Sequence, residues 1–443
     1  MRQAMANAFV PGAALLPAEL EARVARRARL LGPAYRLFYE RPLHIVRGEG
    51  AYLYDADGVR YLDAYNNVPG VGHCHPKVVE ALTRQAALLN THTRYLHDGV
   101  LDYAERLLAT MPPALGHVMF TCSGSEANDL ALRIAQAATG GAGVIITAYA
   151  YHGVTQAVAQ LSPCLGQGVV VGPHVRVIPA PTSPGAGPDV GRRFALSVRA
   201  AAEDLLQHGI QPAALLVDTV FTSDGNYVDP AGFLAEAAAE IRAKGGLFIA
   251  DEVQAGFGRT GGMWGFSRHG LVPDLVTMGK PMGNGHPIAG LAAKPALVQA
   301  FADQVRYFNT FGGNPVSVAA ANAVLDVLRD EGLMERAVEV GAHLKRGFVQ
   351  LAASHPCLGE VRSAGLAFGV ALREDDAWSA ADRASALVNG LRARRILVSA
   401  SGIAQDVLKI RPPLCFSRED ADALLEATAA VLAELADRPA GGA

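Results

Sequence analysis

Two charged residues of this chain stand at the ends of short apolar runs. Asp251 follows the run 247–250, and Lys280 follows the run 275–279. Ligands of open α/β sheets bind at the carboxyl ends of the strands, where a buried charge needs a partner. A protonated pyridine nitrogen would pair with Asp251, and a Schiff base with an aldehyde cofactor would neutralise Lys280. Alone, Asp251 would more often be a capping residue; the presence of Lys280, one of only six lysines, favours the cofactor.

A second candidate site lies where a predicted strand joins a predicted helix, in residues 121–128. Ser123, Gly124 and Ser125 stand at the start of that helix and are small. Free backbone N–H groups and the positive end of the helix dipole favour a phosphate at such a position. An ordinary serine cap followed by a glutamate explains the same residues. Both interpretations stay open from these residues alone.

Two further patterns do not predict a site. Residues 256–261 match the dinucleotide fingerprint G-x-G-x-x-G, but no amphipathic helix follows them. His73, Cys74 and His75 are adjacent, so their side chains diverge, and no further ligands are spaced to complete a metal site. We therefore expect neither a dinucleotide nor a metal ion in this protein.

The elements that must position these residues follow an alternating pattern. Short apolar, β-prone runs alternate with helical periods, which indicates an α/β fold with a parallel sheet wrapped by helices. Upstream, residues 16–29 predict a charged surface helix and residues 48–63 a small hairpin. The β-prone runs are 118–122, 143–148, 175–180, 214–219, 246–253 and 275–280.

The pattern changes after Pro315. Residues 315–328 predict a long helix, and residues 365–372 and 396–400 predict two strands. A second, smaller α+β domain is therefore expected in this part of the chain. The Gly/Pro-rich segment 185–193 predicts a loop inside the large domain.

Composition excludes several classes of protein. Half of the 443 residues are hydrophobic, and the formal net charge is -3, so the basic surface of a nucleic-acid binder is not expected. The five cysteines are odd in number and form no C-x-x-C pair, which favours a reducing compartment, by default the cytoplasm. No signal peptide and no apolar stretch long enough to span a membrane is apparent, so we expect no membrane partner.

As a set, these residues resemble the class-III aminotransferases, which belong to the fold type I group of pyridoxal-phosphate (PLP) enzymes. The matching motifs are SGSEAN at 123–128, YHG at 151–153, ADEVQAGFGRTG from 250, MGKPMGNG from 278 and NTFGGNP from 309. The resemblance covers nearly the whole chain. It implies a large domain with a mostly parallel seven-stranded sheet at 65–325, a smaller α+β domain at 326–443, and an N-terminal segment, 1–64, that joins the small domain.

The resemblance also implies roles for single residues around the cofactor ring. Lys280 would hold PLP as a Schiff base and act as the catalytic base. Asp251 would pair with the ring nitrogen as a second catalytic residue, Tyr151 would stack on the ring, and Gln254 would lie near the ring hydroxyl.

Further roles concern the cofactor phosphate and the neighbouring subunit. Gly124 and Ser125 would bind the phosphate, and Thr310 would reach it from the other subunit. The resemblance therefore implies a homodimer with shared active sites, and leaves open whether dimers pair into a tetramer. The remaining cofactor-binding residues that it implies are Ser123, His152, Asp218 and Val253.

A finer resemblance is carried by longer runs. GPAYRLFY, NNVPGVGHCHP, LNTHTRYLHD, TMGKPMGNGHP and YFNTFGGNPVS are similar to the subgroup of ethanolamine-phosphate and 5-phosphohydroxylysine phospho-lyases. Family members that use glutamate carry an E-P-V-Q-G-E-G-G-like run whose second Glu pairs with an arginine. Here those two positions are Ser223 and Lys409. The switch between an amine donor and 2-oxoglutarate is therefore missing or rebuilt.

Two activities follow from this resemblance. A phospho-lyase would expel phosphate from a small phosphorylated amine such as ethanolamine phosphate, giving an aldehyde, ammonia and phosphate. The alternative is an amine or omega-amino acid:2-oxo acid aminotransferase of the 4-aminobutyrate type, and a catalytically silent cofactor-binding protein is disfavoured by the intact cofactor residues. A departing phosphate must be stabilised by cations, for which Arg94, Lys409 and Arg411 are the candidates. Each of these three residues could instead be a surface salt-bridge residue. The substrate-binding candidates are Arg94, Lys409 and Arg411, together with Tyr39 and Asn66.

Overall fold

The computed structural model describes residues 7–181 and 189–436. Its strands are β1 Ile45–Glu49, β2 Tyr52–Asp55, β3 Arg60–Asp63, β4 His117–Thr121, β5 Gly143–Thr147, β6 Val175–Ile178, β7 Pro212–Asp218, β8 Leu247–Asp251, β9 Leu275–Met278, β10 Ala289–Ala293, β11 Leu358–Ala364, β12 Ala367–Leu372, β13 Ile396–Leu397, β14 Ser399–Ser401 and β15 Val407–Ile410. Its α-helices are α1 Ala18–Leu31, α2 Pro76–Ala86, α3 Asp98–Leu108, α4 Gly124–Thr139, α5 Gln156–Ala159, α6 Val190–Gln207, α7 Leu234–Ala243, α8 Pro295–Ala302, α9 Pro315–Asp330, α10 Leu333–Ser354, α11 Ala380–Ala393 and α12 Arg418–Ala436.

A seven-stranded sheet forms the centre of the molecule. Its strand order is β4-β10-β9-β8-β7-β5-β6. The pairs from β9 to β6 are parallel, whereas β10 runs antiparallel to both of its neighbours. All five residues of β5 are buried, as expected for a strand covered on both faces. The predicted mostly parallel, seven-stranded α/β sheet is thereby confirmed.

Two smaller sheets lie outside the central one. Strands β11, β12, β15 and β14 form an antiparallel sheet, and β1, β2 and β3 form another. Strand β13 joins the N-terminal sheet in parallel with β3. The predicted strand 396–400 is therefore divided between two sheets, and the N-terminal and C-terminal parts of the chain share one of them. The expected domain bounds stay predictions, and the bound at 325/326 falls inside α9.

Other local predictions are confirmed or corrected by the structure. The charged helix is α1, the hairpin is formed by β2 and β3, and the long helix is α9. The predicted loop 185–193 is wrong at its end, because residues 190–193 open α6, whose face of Val190, Phe194 and Val198 is buried. Residues 185–188 lie outside the described residues. Within the described residues, no helix combines the length and apolar character needed to cross a membrane.

The central sheet determines where the charged residues meet. Asp218 ends β7 and Asp251 ends β8, and the two are paired directly across the strands. Lys280 follows β9 after a single glycine. Parallel strands bring their carboxyl ends to one edge, and both carboxylates and the lysine therefore lie at the same edge of the sheet.

Candidate active site

A cavity of about 260 Å³ opens at this edge of the sheet. Every cofactor residue predicted from the sequence lines it, with the exception of Thr310. Their individual roles remain predictions. The lining residues are Val68, Cys122, Ser123, Gly124, Ser125, Asn128, Tyr151, His152, Gly153, Asp218, Asp251, Val253, Gln254, Lys280, Gly285, His286, Pro287 and Ile288.

Asp251 is held by a complete set of hydrogen bonds. Its Oδ2 accepts from Asn128 Nδ2 at 2.9 Å and from His152 Nδ1 at 2.8 Å, and its Oδ1 accepts from the Val253 amide at 3.1 Å. Asn128 is itself oriented, because its Oδ1 accepts from Thr277 Oγ1 at 2.6 Å. All these groups are buried. The network fixes the carboxylate and keeps its charge at one place in the cavity.

Lys280 forms no salt bridge with any of the described residues. Its Nζ is 5.9 Å from the centre of the Tyr151 ring, and no carboxylate of the described residues lies within 4 Å of it. Burial lowers the pKa of this lysine, while Asp251 acts in the other direction. Its backbone φ is 39°, a left-handed conformation that non-glycine residues rarely adopt and that is typical of functional sites.

The start of α4 forms another wall of the cavity. The Ser123 side chain caps the helix by accepting from the Glu126 amide at 3.3 Å, and Glu126 Oε2 accepts from the Ser123 amide at 2.9 Å. This capping box leaves the amides of Gly124 and Ser125 free of intrahelical partners. The 151–154 loop packs against the helix start, since a Cβ on Gly153 would lie 2.4 Å from Ser125 Oγ. Both earlier interpretations of this segment, serine cap and anion site, are compatible with this geometry.

The proposed substrate cations lie behind the cavity wall. Arg411 donates to Gln254 Oε1, and its guanidinium is 5.0 Å from the Tyr65 ring centre. Lys409 is two residues away on β15, and burial, followed by the charge of Arg411, holds its pKa well below the usual value. Within the described residues, neither cation has a carboxylate within 4 Å. Lys280 and Asp218, which line the cavity, also influence the pKa of Lys409 through their charges, so Lys409 lies near the cavity.

Like Lys409 and Arg411, the remaining predicted substrate residues and Thr310 are not among the residues that line the cavity. Tyr39 is buried and donates its hydroxyl to the Val398 carbonyl at 3.1 Å. Asn66 donates from Nδ2 to Asp63 Oδ2 at 3.0 Å. Arg94 and Thr310 are exposed, and the Arg94 guanidinium stacks 3.7 Å from the Phe308 ring centre.

Asn128 and His286 are among the lining residues that had received no role from the sequence. Asn128 is four residues beyond Gly124, on the same face of α4, and this spacing is the signal that could have found it. His286 lies in the run 277–287, and its Nε2 is 2.9 Å from Ser317 Oγ. No local pattern relates His286 to Ser317, so only the fold identifies this contact.

The residues present fit PLP. An anchored carboxylate suits a protonated ring nitrogen, a helix start with free amides suits a phosphate, and a partly buried lysine suits an aldehyde. His152 supports the fit, because its buried Nε2 has no hydrogen-bond partner among the described residues while Nδ1 is engaged with Asp251. A bound group would satisfy this atom.

Comparison with known proteins agrees with this chemistry. The profile of the family "Aminotransferase class-III" matches residues 38–432. An alanine–glyoxylate aminotransferase 2-like protein of Drosophila melanogaster is 41% identical, over 90% of this chain and 84% of its own length. The ethanolamine-phosphate phospho-lyase homolog 1 of Caenorhabditis elegans is 36% identical, over 89% of this chain and 90% of its own.

Among solved structures, the chain is similar to a phospholyase from Arthrobacter in complex with phosphoethanolamine. That similarity has a TM-score of 0.90 and 42% identity, and covers 94% of this chain and 100% of the other. Together with the match of the family profile, it shows the fold and the dependence on PLP. The chain therefore belongs to the class-III aminotransferase family and is a PLP-dependent enzyme, a lyase or a transaminase.

Proposed function

We propose that this enzyme is a phospho-lyase that eliminates phosphate from a small phosphorylated amine such as ethanolamine phosphate. The overall reaction takes up one water and gives an aldehyde, ammonia and inorganic phosphate. Two of the similar proteins are named for this chemistry, at 36% and 42% identity. In this chain, the pair Lys409 and Arg411 is the observation that carries the proposal.

The cation pair has the properties that a departing phosphate requires. Lys409 and Arg411 lie beside Lys280 and Asp218, and no carboxylate within 4 Å among the described residues neutralises them. Burying uncompensated cations is costly unless an anion joins them. Arg411 Nε is also buried without a hydrogen-bond partner among the described residues. A substrate phosphate would supply both the charge and the acceptor.

The mechanism assigns a task to each group of the site. When bound, PLP supplies an electron sink for the carbon that carries the substrate amine. Asp251 holds a proton on the ring nitrogen, and Asn128 and His152 hold Asp251 in place. Lys280, with a pKa lowered by burial, accepts the proton that the substrate loses. Lys409 and Arg411 stabilise the charge that builds on the leaving phosphate.

The loop after β7 supports a lyase over a glutamate-using transaminase. Ser223 occupies the place of the switch glutamate, and its carbonyl accepts from the Gly402 amide at 3.0 Å. The neighbouring Asp224 does not replace the switch glutamate, because its carboxylate accepts from Thr147 Oγ1 at 2.8 Å and the Tyr149 amide at 2.9 Å. Lys409 therefore has no switch glutamate as a partner and is available to bind a different anion.

An amine or omega-amino acid:2-oxo acid aminotransferase is the second candidate. It is favoured by the relative at 41% identity that is named as an alanine–glyoxylate aminotransferase 2-like protein. Such an enzyme would use Lys409 and Arg411 to bind the carboxylate of an oxo acid instead of a phosphate.

One incubation separates the two activities. The PLP-loaded enzyme is given ethanolamine phosphate without any oxo acid, and released phosphate is measured over many turnovers. We expect sustained release with matching amounts of ammonia and acetaldehyde. Turnover of amines only after addition of pyruvate or 2-oxoglutarate, with no phosphate released, would establish the aminotransferase instead.

We further propose that the active form is a homodimer with shared sites. Leu88, Leu96 and Phe311 are 75%, 93% and 68% exposed, which is unusual for large apolar side chains. They lie in the segments that carry Arg94 and Thr310, which do not line the cavity of their own chain. A second copy would cover the apolar side chains and receive Arg94 and Thr310 at its own site.

The dimer is tested by light scattering after gel filtration. We expect the mass of two chains for the wild type and a shift toward monomer for Leu96→Asp, whereas Val170→Asp, an exposed residue of another segment, should not change the mass. A tetramer would extend the proposal, and a monomeric, fully active wild type would contradict it.

A cytoplasmic location completes the proposal. All five cysteines are free in the described residues, as expected in a reducing compartment. Some relatives are named as mitochondrial, among them the human alanine–glyoxylate aminotransferase 2. Fractionation of the source cells with an antibody against the protein would decide between the compartments.

A further inference from the structure

The glycine-rich run 256–261 matches a dinucleotide fingerprint, but in this protein it has a structural role. The run follows β8 and is almost completely buried. It packs against the C-terminal part of the chain: a Cβ on Gly365 would lie 2.6 Å from the Arg259 carbonyl oxygen, and a Cβ on Gly261 would lie 2.4 Å from Val338 Cγ2. Glycine at 365 allows the two backbones to touch, and glycine at 261 leaves room for the Val338 side chain.

Arg259 is the one charged side chain of this run. It is 3% exposed, and no carboxylate of the described residues lies within 4 Å of it. Its Nη1 donates to the Pro412 carbonyl at 2.6 Å and to the Leu366 carbonyl at 3.1 Å. The Leu366 amide donates back to the Arg259 carbonyl at 2.9 Å. Burial, followed by the charge of Arg411, lowers the pKa of this guanidinium to about 9.

The segment 254–259, which overlaps the start of this run, holds the Arg411–Pro412 pair at two points. Gln254, five residues before Arg259, accepts a hydrogen bond from the Arg411 guanidinium, and Arg259 binds the carbonyl of Pro412. On its other side, the Arg411 amide donates to the Ala64 carbonyl at 2.8 Å. Burying one cation beside another destabilises the folded protein. If the only role of Arg259 were to donate to these carbonyls, a neutral donor would serve with a smaller penalty.

We propose that Arg259 is a positioning residue that sets the place of Arg411 relative to Gln254 and the bound ligands. This inference rests on the proposed role of Arg411 in binding a substrate phosphate. Arg259 contacts neither substrate nor cofactor, and acts through the Pro412 carbonyl. Its removal lets the Arg411 guanidinium move, which weakens phosphate binding more than it slows the chemical step.

The test is a double-mutant cycle read by binding. The dissociation constant of inorganic phosphate for the PLP-loaded enzyme is measured by calorimetry for the wild type, Arg259→Lys, Arg411→Lys and the double variant. We expect each single variant to weaken binding about 10-fold and the double variant to be little worse than Arg411→Lys, because both act on one guanidinium. If the loss of phosphate affinity in the double variant equals the product of the two single losses, the proposal is overturned.

A matched control separates positioning from general stability. Arg383 is also buried, and it donates to the Arg373 carbonyl and to Asp375 in the C-terminal part of the chain, away from the cavity. Arg383→Lys should lower the melting temperature without changing the dissociation constant of phosphate. Equal weakening of phosphate binding by Arg383→Lys would also overturn the proposal.

Two further measurements keep the test decisive. If Arg259→Lys does not fold, Arg259→Gln replaces it, because a neutral amide can still donate to one of the two carbonyls. If the wild type neither releases nor binds phosphate, the proposed function fails, and the positioning role is then read from the cofactor. In that case Arg259→Lys and Arg411→Lys must shift the absorption maximum of bound PLP in the same direction, through Gln254; different shifts would refute the positioning role.

Discussion

The two sides of the cavity differ in how completely their charges are satisfied. On one side, Asp251 accepts three hydrogen bonds, and the donor Asn128 is itself fixed by Thr277. On the other side, beyond the residues that line the cavity, Lys409 and Arg411 lack a carboxylate within 4 Å among the described residues. A carboxylate that is already oriented suits a resident group such as PLP. Cations without a carboxylate partner suit a substrate anion that arrives and leaves in every turnover.

Replacing the lysine between the two sides should have the largest effect. Lys280→Ala removes both the attachment of PLP and the group that accepts the substrate proton, so we expect phosphate release to fall by roughly 10⁴-fold or more. The absorption band of lysine-bound PLP should disappear with it. Lys294→Ala, which removes an ion pair with Asp274 at 2.5 Å, serves as the control lysine. Surviving turnover in Lys280→Ala would mean that another lysine is used.

The next largest effect should come from Asp251→Asn. The neutral amide of this variant cannot keep the ring nitrogen of PLP protonated. The missing negative charge should raise the activation free energy by roughly 3 kcal/mol, which lowers kcat about 100-fold. Stopped-flow measurement of kcat and equilibrium dialysis of PLP would follow both consequences. An unchanged kcat would remove the assigned catalytic role of this carboxylate.

Lys409→Gln should act on the substrate side alone. Loss of one charge-assisted contact to phosphate corresponds to about 2 kcal/mol, or roughly a 30-fold increase in KM for ethanolamine phosphate. The dissociation constant of PLP should stay unchanged, and so should the KM for an unphosphorylated amine. Lys345→Gln, at an exposed position, is the matched control. Equal effects on phosphorylated and unphosphorylated amines would contradict the proposed contact.

The same lysine makes substrate binding depend on pH. Burial and the neighbouring charges of Arg411 and Lys280 lower the pKa of Lys409, while Asp218 and Cys164 raise it, and the net direction is downward. A lysine with a lowered pKa loses its proton at a lower pH than usual. The KM for ethanolamine phosphate should therefore rise as the pH increases through this pKa. Lys409→Arg keeps its charge and should give a flatter profile; identical profiles would exclude Lys409 as the titrating group.

The cofactor side was largely predictable from the sequence. Asp251 and Lys280 follow apolar runs, and the parallel sheet brings such strand ends together whatever the details of the loops. Strand β10 was missed because its sequence, AGLAA, has no β-branched or aromatic residue and is held in the sheet only by its two neighbours.

The substrate side could not be predicted with the same certainty. Lys409, on β15, and Arg411, just after it, came from a family resemblance, since nothing local in the run 407–413 indicates that they lie near the cavity. Tyr39 and Asn66 were expected to bind substrate, yet each hydrogen-bonds within its own chain outside the cavity lining. Side chains drawn from distant segments are placed by packing, which leaves no periodic signal in the sequence.

The smallest effect should come from the support of Asp251 rather than from Asp251 itself. Asn128→Ala removes the 2.9 Å hydrogen bond to Asp251 Oδ2 and leaves Thr277 Oγ1 without its acceptor. Outer groups of this kind contribute about 10-fold, so the dissociation constant of PLP should rise about 10-fold. The dissociation constant of inorganic phosphate should not change, because Lys409 and Arg411 do not contact Asn128. A parallel loss of phosphate affinity would mean that the two sides form one coupled network and do not act separately.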